Sequence, residues 1–254
     1  MNDEVNNEMN EQNPVEPEIE EQQPVEPEVE VAAEEPQKVV KVDIGEWIKQ
    51  GWELFKTDIV KFMVSALIVG VISVVTCLIL AGPMMVGFFK CILKKNRGED
   101  FEYGELLDGV RTQFLPAFLL VLVTSISLMI VSVILSIVPF IGQLAAFIVQ
   151  VSATLVVNYM YLQMAEMDET MEVGGLIDLA KTTINKLKSE YIMFIVWALV
   201  IYVIGLAGAI VCIIGALFTW PLSVISVAKS YINVFKSGDE IMVTAEEVVV
   251  EEEI

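Results

Sequence analysis

Three stretches of the chain carry no charged side chain: residues 62–89, 112–165 and 191–228, which are 28, 54 and 38 residues long. An α-helix needs about 20 apolar residues at about 1.5 Å each to cross a bilayer. The second and third runs are too long for one helix, and each suits two helices joined by a tight turn. Turn-forming residues fall near their middles, at Val138-Pro139-Phe140-Ile141-Gly142 and between Gly205 and Gly215. The first run fits one long span or two short ones broken at Gly82-Pro83.

Before each run lies a shorter segment with a different rhythm. The three begin Asp43-Ile44-Gly45-Glu46, Glu102-Tyr103-Gly104-Glu105 and Glu172-Val173-Gly174-Gly175. Their apolar positions follow i, i+3, i+4, i+7 and i+11. These are Ile44, Trp47, Ile48, Gly51 (a departure, beside Trp52) and Phe55; then Tyr103, Leu106, Leu107, Val110 and Phe114; then Val173, Leu176, Ile177, Ala180 and Ile184. That spacing is one face of an α-helix, with charges opposite. The pattern predicts an all-α, polytopic membrane helical bundle. It is built from three repeats, about 43–97, 102–168 and 172–237, each an amphipathic interfacial helix plus a transmembrane hairpin.

Composition then presents a contradiction. The chain is 55% hydrophobic, yet its 35 acidic and 15 basic residues give a net charge of −20. The charge is segregated. Residues 1–37 hold thirteen acidic and no basic residues, residues 238–254 hold seven acidic and none basic, and the rest balances at fifteen of each. The expected organisation is a disordered acidic Pro/Glu-rich tail (1–40), an integral membrane domain (41–237) and an acidic C-terminal tail (238–254). The N-terminal tail duplicates EQNPVEPEIE as EQQPVEPEVE. Its prolines interrupt helices and its glutamates repel one another, so it cannot bury enough apolar surface to order itself. It lacks the basic start and apolar run of a signal peptide. It is either a solvated tail or a dock for a basic cytosolic protein. An acidic chain repels phosphate, which excludes nucleic acid as a partner.

All fifteen basic residues sit at the ends of the uncharged runs and none in their middle turns. The positive-inside rule then sends each run out from the cytoplasmic side and back, giving six spans and two cytoplasmic termini in a multi-pass protein of the cell membrane. The helix from Pro83 to about Lys95 is short for a span, with Lys90 and Lys94 reaching for the interface. If run one crosses once, there are five spans and the N-terminal tail lies outside.

Several punctuation marks carry a resemblance: Gly82-Pro83, Asn96-Arg97-Gly98-Glu99 before Phe101, and Ile214-Gly215 followed by Trp220-Pro221 and Tyr231. Together they resemble a group of uncharacterised bacterial polytopic integral membrane proteins, similar to the membrane domain found beside some glycerophosphodiester phosphodiesterases. The resemblance covers about residues 40–237. It implies an all-helical membrane body and no catalytic residues, since the phosphodiesterase catalytic domain has no counterpart here.

Candidate chemistry is sparse. The chain has no histidine, so the commonest metal ligand and general base is missing, and no catalytic, cofactor or metal motif is present. Cys77, Cys91 and Cys212 sit in apolar surroundings and read as packing residues; a Cys77–Cys212 disulfide has no support from spacing. No acidic residue lies deep in a run, which disfavours a proton-coupled pump. Polar residues within the runs do align on helix faces: Gln143, Gln150, Thr154 and Asn158; Ser125, Ser132 and Ser136; and Ser223, Ser226, Ser230 and Asn233. Such stripes serve interhelical packing, or line a polar groove for a lipid headgroup or small solute. The expected role is a non-enzymatic membrane scaffold or accessory subunit, in contact with membrane lipid and with a basic partner through its tails. The alternative is a transporter or channel using the polar stripes.

Overall fold

The computed structural model describes residues 42–167, 169–211 and 213–236. The two predicted acidic tails and Cys212 lie outside these residues. Nine α-helices and one 3-10 turn follow in order among the described residues, with no strand. Three helices are long and apolar enough to cross a membrane: Phe114–Leu135, Ile141–Glu166 and Tyr191–Gly208. A fourth candidate is the pair Ile44–Lys56 and Ile59–Val75, if this pair, bent by 96°, counts as one span.

Helix α1 (Ile44–Lys56) starts where the Asp43 carboxylate accepts the Glu46 backbone N–H at 3.0 Å, and it ends on Lys56, the favourable charge for a helix C-terminus. Its apolar face, Trp47, Gly51, Leu54 and Phe55, is buried against protein. Helix α2 (Ile59–Val75) turns into α3 (Ala81–Asn96) through residues 76–80. Cys77 and Leu78 adopt φ of 50° and 67° there, while Gly82 and Pro83 fall in the first turn of α3. Proline is tolerated in a first turn because no intrahelical partner awaits its missing N–H. The break in run one is therefore a few residues earlier than Gly82-Pro83.

Helix α3 is buried nearly all round. Met84, Phe88, Phe89, Cys91 and Ile92 are inaccessible, as expected of a helix inside a bundle whose charged residues, Lys90, Lys94 and Lys95, are confined to its C-terminal half. It ends in a Schellman cap. Gly98 takes φ of 82°, its N–H bonds to the Lys95 carbonyl at 3.1 Å, and the Glu99 N–H bonds to the Lys94 carbonyl at 3.1 Å.

The second amphipathic segment is not one helix. It forms a 3-10 turn at Tyr103–Leu107, with a reciprocal capping box between Glu102 and Glu105, and then the short α4 (Asp108–Thr112). Gly87 of α3 and Gly109 of α4 bring the two backbones into contact. Helices α5 (Phe114–Leu135) and α6 (Ile141–Glu166) form the second hairpin, and most of α5 is exposed and apolar.

The third segment is a single helix, α7 (Gly175–Lys188), but in a different register from the predicted one. It buries Leu179, Thr183 and Leu187 and leaves Ile177 65% and Ile184 54% exposed. The cause is polar: the Thr183 hydroxyl accepts from Gln163 Nε2 of α6 at 2.7 Å and cannot face outward. Helix α8 (Tyr191–Val211) and α9 (Ile213–Phe235) close the chain as a third hairpin, with Pro221 inside α9.

The aromatic core joins these parts. Trp47 meets Trp197 at 5.2 Å, Phe55 meets Phe218 at 5.0 Å, and Phe88 stacks on Trp220 at 5.6 Å. Such pairs add about 0.5–1.5 kcal/mol each beyond their area.

Candidate functional site

The sequence-predicted polar residues separate into two groups. At the hairpin end of α5 and α6, Ser132, Ser136, Gln143 and Gln150 converge with Ala146 and Phe147 around a pocket of ≈ 290 Å³. Ser136 caps the end of α5 and donates to the Val133 carbonyl at 2.7 Å, and Gln143 lies in the first turn of α6. Antiparallel packing produces this convergence, because the turn brings the last residues of α5 opposite the first of α6. Phe147 is fixed by an edge-on contact with Tyr202 of α8 at 5.1 Å. Ser125 and Thr154 are exposed outside the pocket, and Thr154 donates to the Gln150 carbonyl at 2.9 Å. Asn158, half-buried on the same helix, does not line it.

The stripe on α9 packs helices together. Ser226 is fully buried, donates to the Leu222 carbonyl at 2.9 Å and sits against Gly51 of α1. Asn233 donates to Gln50 Oε1 at 3.1 Å and to the Lys229 carbonyl at 2.9 Å. Ser223 donates to the Trp220 carbonyl. Ser230 is a hub: it shares a 2.8 Å hydrogen bond with the Tyr159 hydroxyl and accepts the Trp197 indole N–H at 3.1 Å. One serine thereby joins α6, α8 and α9 inside the core, where an unpaired polar group would be costly.

Missing from the sequence reading is a set of polar ties between the two ends of each uncharged run. Run one is closed by Asp58–Lys95 at 3.4 Å and Lys61–Asp100 at 3.0 Å, with Lys95–Asp100 at 3.0 Å completing the network. Run two is closed by Gln113. Its Nε2 donates to the Glu169 carbonyl at 2.7 Å, and its Oε1 accepts the Met171 N–H at 3.1 Å. Run three is closed by Lys186, whose ammonium reaches the Phe235 carbonyl at 3.5 Å and lies 4.6 Å from the centre of its ring.

Further bonds link one run to another. The Tyr231 hydroxyl donates to Glu166 Oε2 at 2.9 Å. Lys236 Nζ stands 2.5 Å from Glu166 Oε1, so charge rather than a well-directed hydrogen bond serves that oxygen. Lys229 bonds Asn96. Lys94 pairs with Glu105 at 2.6 Å and Lys90 with Asp108 at 3.7 Å. Pairs of opposite charge in the two flanking segments could have signalled the network, but the sequence does not reveal which ends meet.

The electrostatics follow from the geometry. Hydrogen bonds from Lys95 and then Lys61 hold the Asp100 carboxyl at about 2, well below its ordinary 3.8. Burial pushes the Glu105 carboxyl up, but the Lys94 bond and the Glu102 N–H outweigh it and keep the group below its usual range.

Neither a protein-family model, nor a curated protein, nor a solved structure matches this chain.

Proposed function

We propose that this chain is a multi-pass protein of the cell membrane, made of three repeated helical hairpins with both termini cytoplasmic. Its role is that of a non-enzymatic scaffold or accessory subunit. The observation that carries the reading is the tying of each run's two ends: Asp58 to Lys95, Gln113 to Met171 and Lys186 to Phe235. A run whose ends are joined leaves and re-enters on one face, which favours an even number of passes. The lysines gathered there agree with the positive-inside rule.

The ion pairs on this face act as joints between helices, and the cations in them are already neutralised by the body's own carboxylates. The thirteen acidic residues in 1–37, with no basic residue among them, suit a basic cytosolic partner. Pull-downs from detergent extracts with residues 1–37 deleted test the reading. The expected result is loss of at least one basic protein from the partner set; an unchanged set overturns it.

The α5–α6 pocket favours a second reading, a transporter or channel for a small solute or lipid. Reconstitution into liposomes tests it: Gln143→Leu with Gln150→Leu, both in the pocket lining, should abolish a measured flux, and a flux that survives both ends the idea.

A further inference from the structure

The pocket at the end of the α5–α6 hairpin has a chemistry that narrows its ligand. Its lining offers two carboxamides, Gln143 and Gln150, two hydroxyls, Ser132 and Ser136, and the ring of Phe147, with no charged group. Run two has no charged side chain between Arg111 and Glu166, which stand at its far ends. An ionic ligand seated here would find no countercharge in the lining. An uncharged hydroxyl-rich group meets a better match, since a carboxamide both donates and accepts. Among the described residues neither glutamine side chain has a hydrogen-bond partner, so both are free to bind.

Position narrows the ligand further. The chain neighbours of the lining residues are exposed apolar side chains: Val133 at 64%, Ile137 at 78%, Ile141 at 74% and Leu144 at 62%. Gln143 and Gln150 are two helical turns apart, about 10 Å along the axis. A ligand that satisfies both the polar pocket and the exposed apolar residues of the same hairpin end is an amphiphile, with its head between the glutamines and its chains on apolar surface. The ≈ 290 Å³ is at the small end of ligand pockets, the size of a headgroup rather than a whole lipid.

We propose that this pocket binds the uncharged, polyhydroxylated headgroup of a membrane lipid, entering from the bilayer side. The proposal rests on the reading of the α5–α6 pocket as a ligand site and names the ligand class.

The test uses the full-length protein in detergent, read by native mass spectrometry. The probes are galactosyl diacylglycerol, phosphatidylglycerol with the same acyl chains, and free galactose. The expected result is retention of the galactosyl lipid about ten-fold above phosphatidylglycerol, without competition by millimolar galactose. Gln143→Leu with Gln150→Leu should erase the preference, and Ser125→Leu, exposed outside the pocket, should keep it. Circular dichroism checks that each variant is folded; Gln150→Ala alone replaces the double variant if that one is not. Equal retention of the two lipids by the parent protein, or a preference that survives in the glutamine variant, overturns the proposal. Competition by free galactose that the glutamine variant abolishes also overturns it, while leaving the pocket as a solute site. If the variant alters neither lipid retention nor liposome flux, the pocket reading itself falls. If it instead dissolves a dimer formed by the parent protein, the surface joins two copies and the lipid proposal is overturned.

Discussion

Asp58 and Lys95 stand 37 residues apart in the chain and pair at 3.4 Å, drawing the start of α2 to the end of α3. Between them lies the whole first uncharged run. A pair this short cannot span an apolar slab about 30 Å thick, so under the membrane reading both residues lie on one side of it.

Labelling intact cells checks that arrangement. In a background with Cys77, Cys91 and Cys212 replaced, single cysteines at Glu20, Asp100 and Ala245 should resist an impermeant thiol reagent. One at Phe140, at the far end of the second hairpin, should react. Labelling of position 20 but not of position 245 from outside would require an odd number of passes.

Gly51 tests the packing of α1 on α9. A Cβ at this position would come within 2.9 Å of Ser226 Cα and 3.0 Å of its Cβ, a collision with backbone that no rotamer relieves. Gly51→Ala should lower stability by about 1–3 kcal/mol in thermal unfolding. Adding Ser226→Gly should recover part of that loss, since the two changes share one contact.

Ser230 tests the core hydrogen bonds. Ser230→Ala leaves the Tyr159 hydroxyl and the Trp197 indole N–H buried without their partner. The expected loss is about 1–3 kcal/mol per stranded group, read as a lower unfolding midpoint together with altered tryptophan fluorescence. A silent Ser230→Ala would mean that the hub contributes little.

Asp100 sets a pH dependence. Its carboxyl is held at about 2 when folded, against an ordinary value of 3.8. A depressed acid stabilises the folded state above its unfolded value and loses that contribution as pH falls from near 4 through about 2. The unfolding midpoint of the parent protein should therefore fall more steeply over this window than that of Asp100→Asn. Because the side chain is 72% exposed, the difference should be small and shrink in high salt.

Much of the fold was legible in the residue pattern, and the departures have identifiable causes. The turn between α5 and α6 was readable because Pro139 and Gly142 interrupt an otherwise uniform apolar run. The pocket residues Ser132, Ser136, Gln143 and Gln150 were readable as stripes, since side chains three, four or seven apart share a helix face. Their separation from Ser226 and Asn233 was not, because a polar stripe looks the same whether it faces another helix or open space. The α7 register illustrates the same limit. Leu176, Leu179, Ala180, Thr183 and Leu187 form an i, i+3, i+4, i+7, i+11 series as complete as the one through Ile177 and Ile184. The choice between them depends on Gln163, twenty residues away. Likewise the short α3, weak as a span by length, is explained once it is seen buried among α2, α5, α6 and α9.

The amino-acid sequence by itself determined that the body is helical and apolar, where the α5–α6 hairpin turns, and that its net charge lies in two flanking segments. These are properties of local periodicity and composition, which need no partner to express themselves. Tertiary structure alone decided which ends meet, as with Asp58 and Lys95, and which serines pack, as with Ser226 on Gly51. It also decided which glutamines border an open pocket. Those outcomes depend on distances between helices, and helical periodicity specifies a face without specifying what stands opposite it.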